Sequence, residues 1–232
     1  MFCCRRLFCF LGARQGTIAR PCFRSRPSLP TLDILTRQFP GHRANLKRTI
    51  LATALACFND HGLEATTIEM IRERCDTSVG NIYHHFGNKD GLIAALFLCA
   101  LEDQAQLLAD YLARARTARE GVAALVHSYV DWVSAQPGFA RFQFMARTAV
   151  ASGPRAQELA ERNRARNRRV LAWFAHAPQR DEMVQWPAEL LPSLIVGQSE
   201  NYCRAWLSGR VKAPPVKYRD ELATAAWRSV SK

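Results

Sequence analysis

An all-α fold is predicted by three features of this 232-residue sequence. Apolar residues recur at i, i+3 and i+4 from Ile50 onward, the stripe of an amphipathic helix. Cap residues and breakers punctuate that stripe at Gly62, Ser78, Asn88, Pro137 and Gly153-Pro154. No segment alternates with the period of two that a half-buried strand requires.

Residues 1–42 stand apart from this pattern. Arg, Cys, Ser and Pro dominate, no acidic residue precedes Asp33, and no apolar period is sustained. A basic, disordered extension is expected, able to add nonspecific affinity for a polyanion; an over-extended start of the reading frame is the competing view. Arg5-Arg6-Leu7-Phe8 has the form of a twin-arginine export signal, and the acid-poor composition that of a transit peptide. The apolar run Leu7–Leu11 is too short for a signal core and argues against export.

Residues 43–92 carry short helices with tight punctuation. Ile50, Leu51, Ala54, Leu55 and Phe58 form the stripe of the first, which Gly62 ends. Thr66 with Glu69 three residues on reads as a capping box for a second helix, about Thr67 to Arg74, with Ile68 and Ile71 inward. Asp76-Thr77-Ser78 breaks it, and Ser78 caps a third helix from Val79 to His85. Asn88 caps a fourth, with Asp90 in its first turn. Two short helices joined by a short turn and braced by a preceding helix make a helix-turn-helix, whose second helix enters the DNA major groove. Ile82 and Phe86, four apart, face the core; Val79, Asn81, Tyr83 and His84 stay largely outside. The N–H groups opening the fourth helix, beside Lys89, are suited to a phosphate.

The run IYHHFGNKDGLIAALF, with ATTIEMI upstream, resembles the signature of the TetR/AcrR family of bacterial transcription regulators. The likeness is close over about 50 residues. It implies phosphate contacts at Thr67, Tyr83, His84 and Lys89, and base-edge contacts at Ser78, Val79, Gly80 and Asn81. It also implies a helical C-terminal domain that binds an effector and dimerises. The chain departs from the family pattern at Arg72, where a small Ala is usual, at Asp76 for Gly and at Thr77 for Val. Asp tolerates the left-handed turn conformation. Val79 stands where a polar residue is common, which bears on sequence preference rather than on fold.

Net charge is +12, carried by 27 Arg and 5 Lys, which suggests a polyanionic partner. Its distribution moderates that inference, because residues 43–92 hold six basic and six acidic side chains. DNA binding must rest on which face is basic. Cys3, Cys4, Cys9 and Cys22 lie in the extension; Cys57, Cys75, Cys99 and Cys203 are scattered on helices and are expected to be small buried hydrophobes. Cys75, next to the turn, is the candidate for redox sensing. Neither the cysteines nor the six histidines show metal-ligand spacing, so no metal and no cofactor is expected.

Residues 93–232 continue in helices. The pattern from Asn88 runs to about Thr117, followed by about Arg119–Ala135, Phe139–Val150, Arg155–His176, Ala188–Ser208 and Pro215–Ser231. No apolar run approaches the roughly 18 residues that span a bilayer, and a cytoplasmic protein is expected. Trp132, Phe142, Met145 and Trp173 are candidates for an effector pocket, although aromatics at helical spacing are also ordinary core. The arginines between Arg162 and Arg169 read as a solvated face. Leu194, Tyr202, Trp206, Leu222 and Ala226 on the last two helices are candidates for a homodimer interface, packed as four helices about a two-fold axis.

Enzyme signatures such as G-x-S-x-G, H-E-x-x-H, the P-loop or a dinucleotide fingerprint do not occur. The expected function is a ligand-responsive repressor that binds a palindromic double-stranded DNA operator as a dimer and releases it on binding a small molecule. The alternative is a helical small-molecule-binding or interaction protein with a degenerate DNA head, suggested by Arg72 and Val79.

Overall fold

The computed structural model describes residues 29–232. They form ten α-helices: α1 Leu29–Gln38, α2 Asn45–Ala65, α3 Ile68–Cys75, α4 Val79–Phe86, α5 Lys89–Leu112, α6 Ala118–Ala135, α7 Pro137–Ala151, α8 Ala156–His176, α9 Leu191–Leu207 and α10 Arg219–Val230. The described residues contain no strand, only an isolated bridge between Met183 and Ser231.

Gly62 breaks α2 at φ 82°, ψ 171°, a conformation that side chains with a Cβ rarely adopt. The break turns the chain so that α3 packs back on α2. Its cap differs from expectation by one residue. Thr67, not Thr66, caps α3 by accepting from the Met70 N–H at 3.2 Å. Thr66 is fully buried and donates its hydroxyl to the Gly62 and Cys57 carbonyls at 2.7 and 3.1 Å, closing the end of α2. Glu69 pairs with Arg72 at 3.1 Å and completes no capping box.

Residues 29–38 correct the expected disordered extension. They form α1, in which Ile34 and Leu35 are fully buried against α2 and α5, and Arg37 reaches Asp103 on α5 at 2.6 Å. Their burial was hidden because two adjacent apolar residues in a Pro- and Arg-rich stretch carry no period. Residues 1–28, where the rest of that expectation falls, lie outside the described residues.

The expected boundary at residues 92 and 93 falls inside α5, whose first turn belongs to the helix-turn-helix and whose remainder runs through the body. By length and composition α5 could cross a membrane, contrary to the sequence expectation that no run comes near that length. Half of its most apolar window is buried against other helices, including Leu92, Leu96 and Ala100. A second junction joins head to body: Phe58 of α2 stacks at 5.6 Å on Phe142 of α7, and Asn59 donates to the Gly138 carbonyl at 3.1 Å.

In the body, α10 packs chiefly on α6 and α9. Ala223, Ala226, Trp227 and Val230 are buried there. A polar knot fixes this contact, since Asp131 on α6 accepts at 2.6 Å from both the Tyr111 hydroxyl and the Arg219 guanidinium. Trp173 of α8 lies against α6 at Gly121, where an added Cβ would sit 2.1 Å from its ring.

Candidate DNA-binding face and ligand cavity

The turn between α3 and α4 is made by Asp76, in the left-handed conformation at φ 48°, ψ 52°, with its N–H bonded to the Arg72 carbonyl. Asp is among the few residues other than Gly that adopt it readily. Ser78 then caps α4 by accepting from the Asn81 N–H at 3.1 Å. The Asn81 side-chain amide donates to the Thr77 hydroxyl at 3.1 Å, so this residue braces the turn as well as facing outward. Ile82 is fully buried and Phe86 half-buried, which holds the opposite side of α4 toward solvent.

That outward side carries Ser78, Gly80, Asn81, Tyr83 and His84, all exposed, with Val79 half-buried at its edge. Tyr83 is 49% exposed, high for an aromatic side chain in a well-packed head. Gly80 meets only the Ser78 hydroxyl, at 3.7 Å from an added Cβ; the fold does not require a glycine there. His85 is pushed below the usual histidine pKa by partial burial and by the charges of His84 and Lys47. Asn88 caps α5 by accepting from the Gly91 N–H at 2.8 Å. An added Cβ on Gly91 would lie 1.9 Å from the Phe86 carbonyl oxygen, so this glycine is what lets α4 end directly on α5.

Lys89 has a different task from the phosphate contact expected of it. Its ammonium donates to the Leu63, Glu64 and Thr66 carbonyls at 2.8, 3.2 and 3.0 Å. An ammonium has three N–H donors, and all three close the C-terminal end of α2. Arg72 lies at the surface beside Glu69 and Glu73 and does not separate α3 from α2. Cys75 is half-buried, and desolvation raises its thiol pKa, against the thiolate that redox sensing needs.

In the body a cavity of about 1090 Å³ opens between α5, α6, α7, α8 and α9. Its apolar wall includes Phe97, Leu101, Leu125, Phe144, Phe174 and Ile195. Its polar wall includes Gln104 and Gln143, hydrogen-bonded to each other at 3.1 Å, with Tyr129, Asn163, Arg166 and Asn167. This is the size and mixture of a small-molecule site.

Known proteins resemble the head in sequence. Residues 50–96 match the family model described as "Bacterial regulatory proteins, tetR family". Over these residues the chain carries a DNA-binding head similar to those of the TetR family. It is 41% identical over 63 residues to the HTH-type transcriptional repressor AcnR of Corynebacterium glutamicum, which covers 27% of this chain and 32% of that protein. It is 30% identical over 106 residues to the HTH-type transcriptional repressor Rv1474c of Mycobacterium tuberculosis, covering 43% of this chain and 52% of that protein. The match thus spans from 32% to 52% of the length of these relatives. In fold it is similar to a TetR family transcription regulator from Marinobacter aquaeolei VT8, with TM-score 0.69, 21% identity, and coverage of 84% of this chain and 99% of that one.

The body of the chain redistributes the residues expected to form its pocket. None of Trp132, Phe142, Met145 and Trp173 lines the cavity. Trp132 is buried with its indole N–H on Asp103 at 2.9 Å, Phe142 stacks on Phe58, Met145 packs against the core, and Trp173 lies on Gly121. Ala226 is also misplaced: it is fully buried within one chain, where α10 meets α6, and is not available to a second copy. Leu194, Trp206 and Leu222 remain half-buried, and Tyr202 is tied down through its hydroxyl to the Ala213 carbonyl and its ring edge on Tyr218. Arg166 was overlooked as one of a charged run. The signal was present, since Leu159, Asn163, Arg166, Val170 and Phe174 share one helical stripe, and all five line the cavity.

Proposed function

We propose that this chain is a ligand-responsive transcription repressor that binds a palindromic operator through α4 as a homodimer and acts in the cytoplasm. One observation carries this reading. The helix α4 presents a polar face on a scaffold whose next helix, α5, continues into the wall of the cavity, where Phe97, Leu101, Gln104 and Leu108 stand. Tyr83 and His84 would meet phosphates and fix register, with Thr67 at the start of α3. Ser78, Gly80 and Asn81 would approach base edges, Gly80 by leaving room for the backbone. Phosphate contact near Lys89 would fall to the N–H groups opening α5 rather than to the ammonium.

A single short helix reads few bases, so two heads about one helical turn apart are needed for a specific site. The half-buried apolar residues Leu194, Trp206 and Leu222 on α9 and α10 support a second copy docking there. The test is a mobility shift with the DNA upstream of the chain's own gene, with light scattering at the same concentrations. A dimer that shifts one DNA segment, and loses that shift with Asn81→Ala, is expected. A monomer that binds one operator tightly, or a dimer that binds all sequences alike, defeats the reading.

A further inference from the structure

We infer that the body cavity takes a hydrophobic monoanion, an extended apolar molecule ending in one anionic group, and that Arg166 anchors that group. The inference rests on the reading of the cavity as an effector site and adds the chemical class of the effector.

The cavity wall carries three arginines and two glutamates, Arg147, Arg166, Arg204, Glu189 and Glu200, a formal charge of +1. Arg147 and Arg204 both pair with Glu200, at 3.3 and 3.0 Å. Arg162, one turn before Arg166 on α8, is likewise neutralised by Glu158 and Glu102 at 3.0 and 3.2 Å. Arg166 has no carboxylate within ion-pair distance among the described residues. It is only partly exposed, and the same stripe of α8 places Leu159, Val170 and Phe174 beside it on the wall. Desolvation and the charge of Arg147 both act against its cationic form and push its pKa down.

A guanidinium partly withdrawn from water beside another cation, without a counter-charge, is disfavoured, and the usual remedy is a partner carboxylate. Its planar fork matches a carboxylate or phosphate through two parallel hydrogen bonds. Tyr129, from α6, presents a half-buried phenol to the same cavity, and its hydroxyl makes no hydrogen bond to another described residue. That hydroxyl is a donor on the cavity wall, and an anion would accept from it. The remaining wall is largely Phe, Leu, Val and Ile, which suits an aliphatic or fused-ring body rather than a polar one.

The experiment is calorimetric titration of the full chain, without DNA, with hexadecanoate, hexadecan-1-ol and hexadecanoyl-coenzyme A. Hexadecanoate is expected to bind at least tenfold more tightly than the alcohol. Arg166→Gln should remove that preference, Arg166→Lys should retain part of it, and Tyr129→Phe should weaken the acid severalfold. Arg164→Gln, exposed on the same helix, should change nothing. If only the coenzyme A ester binds, the ligand is a polyanion and the monoanion assignment is overturned, even where Arg166 contributes to its binding. Equal binding of acid and alcohol, or unchanged affinity in a natively folded Arg166→Gln, overturns the inference. So does an Arg166→Gln variant that loses dimerisation and keeps the preference, because the guanidinium then serves a second copy. Release of operator DNA is measured separately: an acid that binds through Arg166 but leaves DNA bound defeats the regulator reading alone.

Discussion

The head and the body of this chain use polar groups in opposite ways. In the head, Thr66, Thr67, Ser78, Asn88 and Lys89 each close a backbone end that the helix geometry leaves open, and Arg72 and Arg74 pair with neighbouring carboxylates. The reading face is rigid because local bonds are complete. In the body, the wall of a large cavity holds Arg166 and Tyr129 without a side-chain partner among the described residues. Such a site is poised for a molecule that completes it. Satisfaction fixes a shape, while a deliberate deficit selects a ligand.

The sharpest test of the division uses two phenylalanines of α7. Phe142 is fully buried at the head–body junction, and Phe144 lines the cavity. Phe142→Ala is expected to cost about 3–5 kcal/mol in chemical denaturation, as large core deletions do. Phe144→Ala should cost less than half of that while altering effector affinity. Similar losses from both would erase the distinction between core and cavity wall.

Leu35→Ala probes whether α1 belongs to the body of the fold. With Leu35 fully buried, a loss of about 2–5 kcal/mol is expected. A melting temperature within a degree of wild type would return this segment to the status of a loose arm.

Lys89→Met separates a structural cation from a DNA contact. Charged hydrogen bonds contribute about 1.5–3 kcal/mol each when buried, but this site is half-exposed and water can replace part of the loss. A destabilisation of about 2–3 kcal/mol is therefore expected, with the salt dependence of DNA binding in the surviving fold unchanged. A stable variant whose salt slope falls by about one would instead restore the phosphate contact.

Gly80→Ala should give the smallest change and the most telling sign. Removing glycine from a helix stabilises it by about 0.5–1 kcal/mol when nothing clashes, and an added Cβ here meets only open space and the Ser78 hydroxyl. Stability should rise while operator affinity falls. If both rise, α4 does not approach DNA closely at this residue.

The head was legible because its geometry is local. Gly62, Asp76, Ser78 and Asn88 specify their breaks and caps within four residues, and a period of 3.6 placed Ile82 inward. The cap at Thr67 was missed by one position because Thr66, equally suited by type, is withdrawn into the core to close α2. The body was legible only as helices. Which aromatics fill the core and which line the cavity depends on contacts across more than 80 residues, as in the Phe58–Phe142 pair, and Trp173 avoids the cavity because a distant Gly121 admits its ring. Ala226 and the apolar pair in α1 failed for the same reason, since an alanine or two adjacent aliphatics do not announce what packs on them.

The 24 residues of α5 have one further consequence. The helix behaves as a rod about 36 Å long, with the Gly91–Phe86 contact at one end and cavity residues along the other half. A tilt of about 5° at the cavity end would carry the head end by about 3 Å. That distance is close to the rise of about 3.4 Å between successive bases along one DNA strand. A movement too slight to unpack the core is therefore enough to set the reading helix out of step with its sequence.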